Sequence, residues 1–179
     1  ELQKEWGLCI YIEDNGRKFL LDSGASDKFS RNAASLKIDL STIDYAVLSH
    51  AHFDHSDGIE TFFKLNKKTS FILRDAAIQK CYHHCFGFIN KYIGINRTWL
   101  KKYADRFVFV SGNYKIENGV FLIPHYTPNL EKIAKRSKLY VKKGFRIVPD
   151  SFEHEQSLVF ETEKGLVIFN SCCHGGVAN

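Results

Sequence analysis

The sequence predicts a mixed α/β or α+β fold, in which strands and single helices alternate. Short runs rich in β-branched and aromatic residues recur along the 179-residue chain, and segments with helical periodicity separate several of them. Asn15-Gly16 between two such runs indicates a tight hairpin, because these residues adopt a positive φ at little cost. Strands that precede and follow single helices, with hairpins beside them, are typical of layered α/β architectures.

Each predicted element follows from its local pattern. The strands predicted from apolar runs lie at 8–12, 18–21, 45–49, 71–73, 107–110, 114–117, 120–123, 157–161 and 166–169. Helices are predicted at 27–36 and 58–65. The first of them carries an apolar stripe of Phe29, Ala33 and Leu36. Two stretches give weaker signals: 75–105 is rich in aromatic residues and helical or irregular, and 126–149 is basic and poorly periodic.

Length and composition indicate one globular domain over residues 1–179. The net charge of +5 favours an anionic partner, whereas nucleic-acid binding would need a clustered basic patch. No apolar run approaches the roughly 20 residues of a membrane span. The five cysteines are odd in number and two are adjacent. This pattern argues against a disulfide framework and predicts a cytoplasmic setting.

The most informative motif is a cluster of metal-ligand side chains directly after the predicted strand that ends at Leu48. His50, His52, Asp54 and His55 fall within six residues. In an extended loop the first two histidines point the same way and can hold one ion, while the carboxylate and the last histidine follow a turn and can face a second ion. Two ions about 3.5–4 Å apart would share a water and make it nucleophilic at neutral pH. The alternative is a polar surface loop.

This pattern resembles the His-x-His-x-Asp-His signature of the metallo-β-lactamase-fold hydrolase superfamily. The segment LLDSG at 20–24 is similar to an earlier motif of that superfamily. The segments FEHEQSL at 152–158 and NSCCHGG at 170–176 resemble a dihydropterin–ribofuranosylaminobenzene phosphate synthase-like subfamily. The resemblance implies an αββα sandwich. It also implies that the chain lacks the family's C-terminal segment, and that an insertion at about 75–149 forms a lid or cap.

The same resemblance implies a set of metal ligands. The first ion would be held by His50, His52 and His154. The second would be shared by Asp54, His55, His174 and a histidine beyond Asn179. Asp54 is then both a ligand and the catalytic proton shuttle. Asp22 would accept a hydrogen bond from a ligand imidazole and fix its tautomer.

Several of these assignments leave an alternative open. Asp22 is otherwise a plain turn aspartate. His154 is otherwise an exposed histidine in an acidic turn, with Glu153 as the fallback ligand. Cys172 lies where the superfamily usually has a bridging aspartate, and thiolate is a competent zinc ligand. Cys172 and His174 therefore both remain candidates.

Two further patterns compete with simple packing. Cys81 and Cys85 would share one face of a helix, which makes a second, structural zinc conceivable. Cap packing is the alternative interpretation. Cys173 is expected to be buried packing. The lysines and arginine between 132 and 143 form either a solvated face or a surface that steers a phosphorylated substrate.

These observations predict a metal-dependent hydrolase with two divalent ions, most simply zinc, with iron or manganese as alternatives. A hydroxide that bridges the ions would attack a carbonyl or phosphoryl centre of a small anionic substrate. A phosphodiester or phosphate ester is preferred because of the positive charge. The competing functions are a nuclease of the same fold and a non-hydrolytic, iron-binding redox or sensor module.

Overall fold

The computed structural model describes residues 1–85 and 89–176. Its helices are α1 (Lys28–Ser35), α2 (Phe53–Ser56), α3 (Ile59–Leu65), α4 (Arg97–Lys102) and α5 (Glu131–Arg136). Its strands are β1 (Ile10–Asp14), β2 (Arg17–Leu21), β3 (Tyr45–Val47), β4 (Phe71–Arg74), β5 (Lys80–Cys85), β6 (Ile89–Tyr92), β7 (Phe107–Val110), β8 (Tyr114–Glu117), β9 (Val120–Pro124), β10 (Leu139–Lys143), β11 (Arg146–Pro149), β12 (Gln156–Thr162) and β13 (Gly165–Phe169). Helices and strands are mixed along the chain, as the sequence predicts.

The first of two compact units comprises Glu1–Leu48, Phe53–Leu73 and Ile95–Phe109. Its sheet has the order β1-β2-β3-β4-β7, with β1 antiparallel to β2 and with β2, β3 and β4 parallel. Because β2 and β3 are parallel, their carboxyl ends lie at one edge of the sheet. The apolar side chains of the unit form its core, notably Phe19, Phe62 and Phe71, which are all 0% exposed.

A buried asparagine ties together the loops of this first unit. The Asn66 amide nitrogen donates to the carbonyl oxygens of Leu40 and Ile43, each at 3.1 Å. Its amide oxygen accepts from the backbone N–H groups of Lys68 at 2.9 Å and Thr69 at 2.8 Å. Since the side chain is fully buried, these bonds satisfy polar groups that water cannot reach.

The second unit comprises the described residues of Ser49–His52, Arg74–Gly94 and Val110–Asn179. It contains two four-stranded sheets, ordered β11-β10-β5-β6 and β13-β12-β9-β8. All of their strand pairs are antiparallel. Phe152, Leu130 and Ala134 form a small buried cluster beneath α5, with Leu139 packed against it. This cluster supports the segment that leads into β12.

The predicted strands and both predicted helices are confirmed within a few residues at their ends. One weaker prediction is wrong in part, and one stretch for which the sequence predicted no element contains a helix and two strands. The stretch 75–105, expected to be helical or irregular, contains β5 and β6 as well as α4, and the basic stretch 126–149 contains α5, β10 and β11. The strands of these stretches are held by partners distant in sequence, such as β5 against β10. Local propensity therefore misses them.

The apolar stripe of α1 is also only partly correct. Phe29 and Ala33 are buried, but Leu36 is 56% exposed. The helix ends at Ser35 because Lys37 takes a left-handed conformation with φ of 60°. The N–H of Ile38 then bonds back to the carbonyl of Ala33 at 2.8 Å. Leu36 therefore lies beyond the helical face that packs.

Three other findings bear on the sequence-based expectations. Among the described helices, none has the length and apolar character needed to cross a membrane. No disulfide joins the five cysteines, all of which lie in the described part of the chain. The lid at about 75–149 stays a prediction, and two of its aromatic residues, Phe86 and Phe88, fall outside the described residues.

Candidate metal centre

Four histidines of the second unit lie close together. The ring centroids of His50, His52 and His174 form a nearly equal triangle, with separations of 4.6, 5.2 and 5.3 Å. His154 lies 5.4 Å from His52 and 6.2 Å from His50. The cluster brings His50 and His52 of the predicted motif together with both predicted C-terminal histidines. These lie more than a hundred residues away in sequence.

Ser49 holds His50 through its backbone and through its side chain. The carbonyl of Ser49 accepts a hydrogen bond from the N–H of Gln156 at 2.8 Å. The hydroxyl of Ser49 contacts Nδ1 of the His50 ring at 2.9 Å. The other ring nitrogen of His50 and Nε2 of His52 are both buried. With Nδ1 of His50 engaged by the hydroxyl, Nε2 is the nitrogen that a metal would take.

His174 is held in place by its ring and by its backbone. The ring stacks on Phe152 with centroids 4.5 Å apart and planes only 5° from parallel. The Glu155 carboxylate accepts from the N–H groups of His174 at 2.8 Å and Gly175 at 2.5 Å. A side chain at Gly175 would bring its Cβ within 2.5 Å of His125, so this turn requires glycine. His174 Nε2 is buried and makes no hydrogen bond to any residue that the structure describes.

Cys172 reaches the same place from the surface. One ligand atom from each of His50, Cys172 and His174 lies within 4.8 Å of the others, although Cys172 is exposed. The neighbouring Cys173 is half-buried and has a φ of 58°. The expectation of a buried packing role for Cys173 is therefore only partly correct. Partial burial, followed by the charge of Glu155, raises the pKa of its thiol.

His154 is buried, with 1% of its surface exposed, so the alternative of an exposed histidine is wrong. Its Nδ1 accepts a hydrogen bond from the N–H of Ala51 at 3.2 Å. Its Nε2 lies 3.0 Å from Oδ2 of Asp150, which is also buried. Both ring nitrogens are therefore engaged. The fallback residue Glu153 points elsewhere, pairing with Lys143 at 2.8 Å.

The protonation of this pair follows from its contacts. Burial works against ionisation of Asp150, but His154, the N–H of Phe152 and His52 together lower its pKa to about 2. Burial works to lower the pKa of His154, while charges on Cys81 and Asp150 work to raise it. The contact with Ala51 opposes that rise, because a second ring proton would sit on Nδ1 and face the N–H of Ala51. An Nδ1 that accepts from Ala51 cannot also carry a proton. This hydrogen bond therefore assigns a neutral ring with its proton on Nε2.

A second set of buried ligand-type side chains adjoins the first. One ligand atom from each of His52, Cys81, Asp150 and His154 lies within 4.8 Å of the others. The predicted pairing of Cys81 with Cys85 is wrong, because both lie on β5 and not on a helix. Four residues of strand span about 13 Å. Sequence reasoning missed Asp150, whose only signal was an acidic residue four positions before a histidine.

In the first unit, Asp22 and His55 form a buried pair. His55 Nδ1 lies 2.7 Å from Oδ2 of Asp22, and the two residues are 2% and 0% exposed. A contact between Asp22 and an imidazole was predicted, and the ligand role of that imidazole stays a prediction. Asp22 follows β2 in a left-handed conformation with φ of 63°. That conformation is uncommon outside glycine, although aspartate is enriched among the residues that adopt it.

Asp54 lies on α2 directly before His55 and is 8% exposed. Its Oδ2 is 3.4 Å from Nε2 of His55. Nearby, burial and then the charge of Asp54 raise the pKa of Asp57 to about 6. The sequence did not predict the short helix α2, which carries both Asp54 and His55.

Comparisons with known proteins agree with the mixed α/β fold. A family model of the metallo-β-lactamase superfamily matches residues 7–80. A metal-dependent hydrolase of the β-lactamase superfamily has a solved structure that matches with a TM-score of 0.76 and 26% identity, covering 98% of this chain and 62% of that chain. A quorum-quenching N-acyl homoserine lactone lactonase matches with a TM-score of 0.50 and 18% identity, covering 89% and 58% of the two chains.

The chain is therefore similar to the metallo-β-lactamase superfamily over residues 7–80 and has a mixed α/β fold that matches a solved structure of the β-lactamase superfamily. Among curated proteins it is similar to a 7,8-dihydropterin-6-methyl-4-(β-D-ribofuranosyl)-aminobenzene-5'-phosphate synthase of Methanocaldococcus jannaschii. The two are 28% identical over 183 residues, which cover 95% of this chain and 61% of that protein. The subfamily resemblance is thereby confirmed. The chain spans about three fifths of the length of the curated relatives it matches.

Proposed function

We propose that the protein is a metal-dependent hydrolase that acts on a small anionic substrate, a phosphate ester or a phosphodiester. The observation that carries the proposal is the triangle of His50, His52 and His174, whose ring centroids lie within 5.3 Å of one another. The Nε2 atoms of all three imidazoles are buried, and imidazole nitrogen is a common ligand of divalent ions in proteins. The match of residues 7–80 to the superfamily model supports the same conclusion.

In this proposal the first ion is held by His50, His52 and His174. His174 replaces the predicted His154, whose ring nitrogens both have protein partners. Cys172 stays an additional candidate ligand, because it can offer its sulfur near His50 and His174. It ranks below His174 because its thiol is exposed. Imidazole suits zinc and iron, and zinc remains the first choice, with iron or manganese as alternatives. When bound, such an ion supplies a Lewis acid that polarises the substrate and lowers the pKa of water.

The second ion stays a proposal that rests on the sequence motif. Asp54 and His55 follow His52 within three residues and supply the carboxylate and imidazole expected of a second site. Asp22 fixes the tautomer of His55 through the 2.7 Å contact. With Nδ1 of His55 donating to Asp22, its Nε2 keeps the lone pair that a ligand needs. Asp54 is proposed as the residue that accepts a proton from the attacking water.

An anionic substrate is supported by charge. The chain carries a net charge of +5, and several cations of the second unit are exposed to solvent, among them Lys135 and Arg136 at the end of α5. Such charges raise the local concentration of an anion and speed its encounter with the protein. We place the protein in the cytoplasm, because five cysteines without a disulfide suit a reducing compartment.

A synthase is the second candidate, because the curated relative bears that name. The name of its product includes a 5'-phosphate, which agrees with an anionic substrate. A synthase would transfer a group to an acceptor other than water. The two candidates therefore differ in whether product forms from a single substrate in buffer.

The test combines metal analysis with a substrate panel. The purified full-length protein would be assayed against chromogenic phosphodiester, phosphate-ester, lactone and thioester substrates, and its metal content would be measured by emission spectroscopy. We expect His52→Ala and Asp54→Ala to lower the metal content and abolish hydrolysis while the fold survives. His84→Ala is a matched control, since His84 stacks on Tyr140 and belongs to none of the metal-ligand groups found among the described residues. Hydrolysis that persists in both metal-poor variants would refute the proposal.

A further inference from the structure

We infer that Asp150 and His154 are positioning residues that hold the turn between His50 and His52, and that His154 is not a metal ligand. The inference rests on the proposed function, because it concerns how the same imidazole triangle is kept in shape. It assigns a role to a buried carboxylate that no motif of the sequence marks.

His154 contacts the backbone between His50 and His52. The N–H that it contacts belongs to Ala51, which is 0% exposed. A buried N–H needs a partner, and here the partner is Nδ1 of His154 at 3.2 Å. On the other side of His50, the N–H of Gln156 donates to the carbonyl of Ser49 at 2.8 Å. The segment 150–156 therefore holds the chain both before and after His50.

Asp150 controls the tautomer of His154. Oδ2 of Asp150 lies 3.0 Å from Nε2 of His154, and Oδ1 accepts from the N–H of Phe152 at 2.7 Å. A carboxylate at Nε2 keeps the proton on that nitrogen and leaves the lone pair on Nδ1 for Ala51. The ring consequently has no lone pair left for an ion.

The segment that carries Asp150 and His154 also holds His174, the third imidazole of the triangle. Phe152, whose N–H bonds to Asp150, stacks on the ring of His174 at 4.5 Å. Glu155, the residue after His154, accepts from the backbone N–H of His174 at 2.8 Å. One short segment thus fixes the peptide between two of the imidazoles and the orientation of the third. Small displacements of such supporting residues weaken metal binding without removing a ligand.

The rival interpretation makes the same residues a metal site. His52, Cys81, Asp150 and His154 offer ligand atoms within 4.8 Å of one another, and an ion there would replace the proton between His154 and Asp150. The two interpretations differ in the number of ions bound. A positioning pair leaves that number unchanged when it is altered, whereas loss of a ligand removes an ion.

The experiment compares two substitutions that each keep half of the His154 contacts. The Oδ1 atom of asparagine stands at the position of Nδ1 and can still accept from Ala51, so His154→Asn should bind metal within about tenfold of the unmodified protein. The amide of glutamine reaches the position of Nε2 and bonds only to Asp150. His154→Gln should therefore lose about 10–100-fold in metal affinity. Asp150→Asn should lose a similar factor, because its amide would donate to Nε2 and move the ring proton toward Ala51.

The readouts are metal stoichiometry at saturating Co²⁺, the visible absorption of the bound Co²⁺, and metal affinity by competition with a chelator. All three variants should keep the stoichiometry and band shape of the unmodified protein. Equal losses in His154→Asn and His154→Gln, or loss of an ion from either variant or from Cys81→Ser, would overturn the inference. Thermal unfolding of the metal-free variants identifies losses due to instability. If His154→Asn does not fold, Asp150→Asn decides: full affinity in that variant refutes a positioning role.

His174→Ala, measured beside them, separates this inference from the proposed function. If His174→Ala keeps every ion, the imidazole triangle is not the metal site and the proposed function fails. If it loses an ion while His154→Asn also loses one, only the positioning role fails.

Discussion

The sharpest consequence of the imidazole triangle concerns the two candidate ligands near the end of the described chain. His174→Ala should remove one ion relative to the unmodified protein, because its Nε2 is buried and its ring lies within 5.3 Å of both motif histidines. Residues that only support a ligand typically cost 10–100-fold in affinity or activity. Loss of a ligand should cost more, so we expect kcat/KM to fall by more than about 100-fold.

The same substitution also removes the ring that stacks on Phe152 at 4.5 Å. Such a contact contributes about 0.5–1.5 kcal/mol, so the metal-free variant should melt only about 1–6 °C lower than the unmodified protein. Cys172→Ser is the matched comparison, because the sulfur of this exposed residue lies within 4.8 Å of a ring nitrogen of His50 and a ring nitrogen of His174. It should keep the ion and lose less than about tenfold in kcat/KM.

Emission spectroscopy on dialysed protein, with steady-state kinetics on the best substrate of the panel, gives both quantities. A His174→Ala protein that keeps its full metal content, beside a Cys172→Ser protein that loses an ion, would refute the reasoning. The thiolate would then be the ligand, and the site would be sensitive to oxidation.

Three further predictions concern charge, packing and pH. Neutralising Lys135 and Arg136 should raise KM more than it lowers kcat, and kcat/KM should fall as ionic strength rises; a salt-independent kcat/KM would contradict an anionic substrate. Asn66→Ala should lower the free energy of unfolding by about 2–4 kcal/mol in urea titrations, because backbone groups of Leu40, Ile43, Lys68 and Thr69 lose their hydrogen bonds to this buried side chain. Asp57→Asn should stabilise the metal-free protein above pH 6 and change little at pH 4, since folding raises the pKa of Asp57 to about 6 and so disfavours its charged form. Equal effects at both pH values would contradict this assignment.

Much of this protein is determined by local sequence. The strand at 45–49 and the six-residue motif behind it follow from an apolar run and from residue chemistry alone. The hairpins and the helix α3 follow from the same kind of short-range signal. The place of Asp22 at a strand end left its role open, and the family resemblance favoured a contact with an imidazole; Asp22 lies 2.7 Å from His55. In each case the deciding contacts are made within a few residues or within one pair of adjacent strands.

The sequence was least informative where the contacts are distant along the chain. His154 was predicted as a ligand of the first ion and His174 as part of a second site, both from the family resemblance, and no local signal distinguishes them. Only the tertiary structure engages both nitrogens of His154 with Ala51 and Asp150, while it leaves Nε2 of His174 without a hydrogen-bond partner in the described residues. An imidazole can bind metal only through a nitrogen that still has its lone pair, and the hydrogen bonds made by residues a hundred positions apart decide which nitrogen that is.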